Sequence, residues 1–217
     1  MQKVYFISGL GADKRIFSFL DLSFCEPVFI NWIAPHANES LVSYALRLRE
    51  QIPAGPATVV GISFGGMLAT EMANHDPSLH PILISSSKTN RELPRYFTMG
   101  RYMPVYKWFS GSIARNMMLR SLWILGAKGK EQKELLRQIT LDSDIAFGKW
   151  AMNAILHWNN TKIPSGLVHI HGTDDRLIPL RCVKADYIIK GGTHVMPLDN
   201  PNEISALLKQ LIIEYPA

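Results

Sequence analysis

The sequence predicts an α/β protein, a mostly parallel sheet flanked by helices and broken late by a helical insertion. Short β-branched and aromatic runs alternate with helical patterns along most of the chain, and the alternation stops between about Lys88 and Lys162. Strands that alternate with helices describe a parallel sheet covered on both faces. With 217 residues the chain has room for one sizeable core, or a core with an insertion, but two independent domains would be cramped.

The elements follow in order. Val4–Ser8 (VYFIS) reads as a buried strand bounded by the glycines of GLGAD, and Pro27–Asn31 (PVFIN) as a second. Leu41–Gln51 carries Leu41, Tyr44, Ala45 and Leu48 at helical spacing, with Asn38 or Ser40 as its cap. Thr58–Gly61 is a third strand, Phe64–Asn74 a helix, and Pro81–Ser85 a fourth strand. Leu167–His171 and Tyr187–Lys190 add two more, and Ile204–Ile213 closes with a helix whose Leu207, Leu208 and Leu211 share a face. The core is therefore expected at 1–87 and 163–217, and the insertion at 88–162, which holds four of the five tryptophans and helical stretches such as KEQKELLRQI.

A hydrophobic content of 47% against 19% charged residues is that of a folded globular protein rather than a disordered one. Cys25 and Cys182 are far apart and form no CxxC cluster, which argues against a disulfide framework or a zinc site. No apolar run has the length of a spanning helix and the N-terminal one is too short for a signal peptide, so the expectation is a soluble, cytoplasmic protein. The net charge of +5 is concentrated: Pro94–Lys130 holds Arg95, Arg101, Lys107, Arg115, Arg120, Lys128 and Lys130 and no acid.

In VVGISFGG a serine stands between a strand and a helix, with glycines two residues before and two after it. A serine at the tip of so sharp a turn leaves little room for flanking side chains, which Gly61 and Gly65 relieve, while Gly66 lets the helix approach the strand. GxSxG alone arises by chance in roughly one chain in fifteen of this length, so its partners decide its meaning. A serine hydroxyl needs a neutral imidazole to take its proton and an acid to orient that imidazole. HGTDDRLIP places Asp174 and Asp175 just past one strand, and GGTHVMPL places His194 just past the next, at strand ends where open parallel sheets put their sites. The Phe64 N–H, at the start of the helix, would be one donor to an oxyanion beside Ser63.

With these residues the chain resembles the α/β-hydrolase family over all but the insertion. The family's acid loop, G-x-x-D-x-x-x-P, falls on Gly172, Asp175 and Pro179, so the resemblance makes Asp175 the acid and leaves Asp174 to the loop. His194 follows Gly191 and Gly192 as the family histidine follows its glycines, and SSSKTN after the fourth strand offers no other carboxylate. The second oxyanion donor would be the Leu10 N–H of SGLG, where Ser8 stands in place of the family's usual histidine. By the same resemblance the first two strands of the family are missing, and the insertion is a helical cap.

The activity implied is a serine hydrolase that cleaves a small carboxylic ester or related acyl bond through an acyl-enzyme. Ser63 is the nucleophile, His194 the base, Asp175 its orienting acid, and the Leu10 and Phe64 amides the oxyanion hole, with no metal or organic cofactor. Rival readings are thioester, amide, lactone or carbon-carbon cleavage on the same residues, or a ligand-binding protein with little turnover. The partner expected is a small molecule with an apolar part. Nucleic acid lacks any module, membrane attachment is not expected, and self-association is left open. His169 and His171 form an H-x-H pair, but Thr173 occupies the place of the aspartate that a metal motif would supply. The aromatic, basic insertion has three readings: a packed helical core with a solvated face, the lid of an apolar pocket drawing anionic substrates, or a membrane-facing surface.

Overall fold

The computed structural model describes residues 1–102 and 110–214; Lys107 and Trp108 of the basic, tryptophan-rich stretch lie outside the described residues. The strands are β1 (Lys3–Ile7), β2 (Glu26–Phe29), β3 (Ala57–Ile62), β4 (Leu79–Ile84), β5 (Val168–Gly172) and β6 (Tyr187–Ile189). Among the described residues these six form one sheet in the order β2-β1-β3-β4-β5-β6, every neighbouring pair parallel. This is the expected sheet, with small shifts at its ends. Pro27 sits in β2, at the sheet edge, where a missing N–H is tolerated. β4 begins at Leu79 rather than Pro81, because Leu79 and His80 already pair with Ala57 and Thr58.

The helices are α1 (Leu41–Arg49), α2 (Phe64–His75), α3 (Arg95–Tyr102), α4 (Gly111–Ser121), α5 (Lys130–Asp142), α6 (Ile145–Leu156), α7 (Met196–Asp199) and α8 (Pro201–Glu214). Ser40 caps α1, accepting the Ser43 N–H at 3.1 Å, whereas Asn38 takes a left-handed φ of 57° in the preceding loop. Successive strand residues face opposite layers. Val59 of β3 joins the cluster under α1 and α2, and its neighbour Val60 joins the one under α8.

The 88–162 stretch carries α3 to α6 between β4 and β5. Its apolar residues join both layers: Phe147, Ala151 and Ile155 pack with Tyr44 and Phe64, while Leu136 belongs with Ile16 and Leu208. Phe147 and Trp150 meet the Tyr44 ring in tilted contacts at ring-centroid distances of 6.0 and 4.4 Å. Among the described residues, no helix is long and apolar enough to cross a membrane.

The strand order reverses between β1 and β3, since the chain leaves β1 outward to β2 and returns on its other side. In parallel sheets the crevice past the C-terminal ends at such a reversal receives ligands. Here that crevice is bounded by Ser8–Ala12 after β1 and Ser63 after β3.

Candidate active site

Ser63 follows β3 with φ 53° and ψ −118°, one of three non-glycine residues with positive φ among those described. Such backbone costs of order 1–3 kcal/mol and persists only when its surroundings hold it. Here the Ser63 N–H donates to Ile84 O at 2.9 Å, and its carbonyl accepts from the Gly66 N–H at 3.0 Å and the Ser86 hydroxyl at 2.6 Å. The glycines are needed sterically. A Cβ on Gly61 would strike the Gly65 backbone, one on Gly65 the carbonyls of Ile7 and Ser8, and one on Gly66 would lie 2.6 Å from the Ser86 Cβ.

His194 follows β6, its Nε2 2.9 Å from Ser63 Oγ and its Nδ1 2.8 Å from Asp175 Oδ2. Asp175 follows β5, and its Oδ1 accepts the Leu177 and Ile178 N–H groups at 2.9 and 2.8 Å. Burial works to raise the Asp175 carboxyl, but the His194 charge and hydrogen bond, the Ile178 amide and His171 together hold it below its ordinary value of 3.8. An ionised Asp175 only accepts, so His194 Nδ1 donates to it, and Nε2, when unprotonated, turns its lone pair toward the Ser63 hydroxyl. Asp174 lies exposed, accepting the Thr173 hydroxyl at 2.8 Å.

Beside Ser63, the turn after β1 is closed by the Ala12 N–H donating to Gly9 O at 3.0 Å. The Ala12 carbonyl in turn accepts from the Ser8 hydroxyl at 2.9 Å and the Trp32 indole at 2.8 Å. Ser8 thus braces this loop from the position where the family's histidine is usual. A Cβ on Gly9 would sit 3.4 Å from the Ser63 Cβ, so the two loops abut. Among the described residues the Leu10 N–H has no backbone acceptor, and the Phe64 N–H opens α2, where no earlier helical carbonyl can receive it. The model for the alpha/beta hydrolase family matches residues 4–207.

The chain belongs to the alpha/beta hydrolase family. No curated protein matches it in sequence. Solved structures of the same fold include an esterase from Thermogutta terrifontis, at 15% identity and TM-score 0.73, covering 99% of this chain and 90% of that one. A putative lipase from Acinetobacter baumannii follows at 16% identity and TM-score 0.68, covering 99% and 85%. A meta-cleavage product hydrolase from Pseudomonas fluorescens is similar at 15% identity and TM-score 0.68, covering 99% and 91%.

In this α/β hydrolase, Ser63, Leu10, Phe64 and His194 border a cavity of about 220 Å³. Each inserted helix contributes to its wall: Phe97 from α3, Met118 from α4, Ile139 from α5 and Ile155 from α6. Two hydroxyls in the wall are turned to their own helices, Thr140 donating to Leu136 O at 2.8 Å and Ser121 to Met118 O at 2.9 Å.

Sequence reasoning missed Ser86, since a hydroxyl after a strand carries no motif. His169 and His171 were visible only as a metal-like pair, yet their rings are hydrogen-bonded to each other at 3.2 Å. Among the described residues, no group of three or more His, Cys, Asp or Glu is placed to hold a metal ion.

Proposed function

We propose that this α/β hydrolase cleaves a small carboxylic ester with an apolar acyl part through a covalent acyl-enzyme. The observation that carries the reading is the hydrogen-bonded series Ser63–His194–Asp175 opening onto an apolar cavity. Ser63 Oγ attacks the ester carbonyl while His194 Nε2 takes its proton. The Leu10 and Phe64 N–H groups and the positive end of α2 face the oxyanion that forms, a contribution of about 3 kcal/mol for a well-placed donor. Collapse breaks the bond to the alcohol oxygen, which leaves with the proton held by His194, and the acyl group stays on Ser63. Water then repeats the sequence: His194 takes one proton, hydroxide adds to the acyl carbon, and the acid is released as Ser63 regains its hydrogen. Asp175 holds His194 in the required tautomer and opposes its transient charge.

In this reading the 88–162 insertion is a cap whose inner face lines the acyl pocket. A fluorophosphonate probe on the purified protein tests it directly. Labelling mapped to Ser63 and lost in Ser63→Ala supports the hydrolase; a folded wild type that neither labels nor turns over a panel of esters, thioesters and lactones sinks it in favour of a binding protein.

A further inference from the structure

We infer that His171 is a positioning residue for Asp175, holding the acid's loop so that one carboxylate oxygen faces His194. The inference rests on the serine hydrolase reading and adds to it a residue behind the acid. His171 lies on β5, four positions before Asp175, and is completely buried. Its Nε2 is 2.7 Å from Ile178 O and 3.5 Å from Asp175 Oδ2. A carbonyl oxygen only accepts, so Nε2 carries the proton and Nδ1 is left as an acceptor. The Nε2–H of His169 donates to it at 3.2 Å. Burial keeps both rings neutral, His169 being pushed down to about 3 by burial with His171 and Lys88 beside it. The proton order therefore runs one way, from His169 through His171 to Ile178 O.

Ile178 is gripped at both polar atoms. Its N–H donates to Asp175 Oδ1 at 2.8 Å while its carbonyl accepts from His171, so the turn after the acid is tied back to the strand it has just left. Oδ2 is thereby fixed toward His194. The titratable groups facing the two imidazoles are Asp175, His194, Lys88 and Glu92. An apolar residue at 171 would fill the space but leave the Ile178 carbonyl without its donor, freeing the turn to rotate and Asp175 with it.

The test compares His171→Gln, whose amide nitrogen can stand where Nε2 is, with His171→Leu and His171→Asn, which cannot donate to Ile178 O. Two readouts are taken: kcat and KM on an ester substrate, and the downfield proton resonance of the His194 Nδ1–H. Leu and Asn are expected to lower kcat by about ten- to a hundredfold, the scale of an ångström-sized misplacement, with KM little changed and the downfield resonance shifted or broadened. Gln is expected to restore kcat to within a few-fold of wild type. Wild-type kcat in His171→Leu, or equal losses in Gln and Leu, overturns the inference. If Leu fails to fold, the contrast between Gln and Asn decides. A folded wild type that neither reacts with the fluorophosphonate nor turns over the panel of esters, thioesters and lactones overturns the hydrolase reading instead, and the resonance still reports whether His171 positions Asp175.

Discussion

His194 Nε2 and Ser63 Oγ lie 2.9 Å apart although 131 positions separate them in the chain. The contact joins the loop after β6 to the turn after β3, across the strand ends of one sheet, and both residues border the apolar cavity.

Removing the orientation of His194 should cost far more rate than binding. Asp175→Asn is expected to lower kcat by about 10⁴-fold by permitting the wrong tautomer, with KM nearly unchanged. Steady-state kinetics on the ester found active, beside His194→Ala as the floor, measure this.

The Gly65 turn should reject even one methyl. In Gly65→Ala the new Cβ meets the Ile7 and Ser8 carbonyls, which belong to backbone and cannot swing aside. A stability loss of about 1–3 kcal/mol by urea unfolding is expected, together with loss of Ser63 phosphonylation. Labelling at the wild-type rate would contradict the close approach of β1 and α2.

Substrate preference should follow the cavity wall. Across p-nitrophenyl esters, kcat/KM is expected to rise about fourfold per methylene while the chain still finds apolar wall, then to fall. Met118→Trp, which fills the wall from α4, should move the optimum toward acetate. A flat profile in the wild type would show that the acyl group lies elsewhere.

Glu71 offers a pH test of the fold. It is buried in α2, where burial raises its carboxyl above the ordinary value of 4.5 against the pull of the Trp158 indole N–H, 2.5 Å away, and of His75. A raised acid binds its proton more tightly folded than unfolded, so its stabilising contribution is complete below 4.5 and is lost as pH climbs toward the folded value. Glu71→Gln keeps an acceptor for Trp158 and removes the titration. Thermal melts should therefore agree in pH trend below 4.5 and diverge above it, the variant gaining relative to wild type.

Much of this was written locally. Apolar runs such as VYFIS and TVVG placed strands to within a residue or two, and the glycines around Ser63 announced a sharp turn, because backbone sterics act between near neighbours. What local patterning could not convey was where the insertion would pack. Phe147 and Leu136 look alike as apolar positions on helices, yet one joins the layer of Tyr44 and the other that of Leu208. Likewise α3 and α4 become legible through the cavity they enclose with α5 and α6.

The sequence by itself determined the alternation of strands and helices, the turn at Ser63, and the two loops that carry Asp175 and His194. Tertiary structure alone decided that the Asp175 carboxylate meets His194, and what stands behind it, through His171. The reason is range. A turn is specified by residues within a few positions of one another, as the Leu177 and Ile178 amides that hold Asp175 Oδ1 are, whereas its other oxygen meets His194 from the next strand's loop, which only the assembled sheet brings to 2.8 Å.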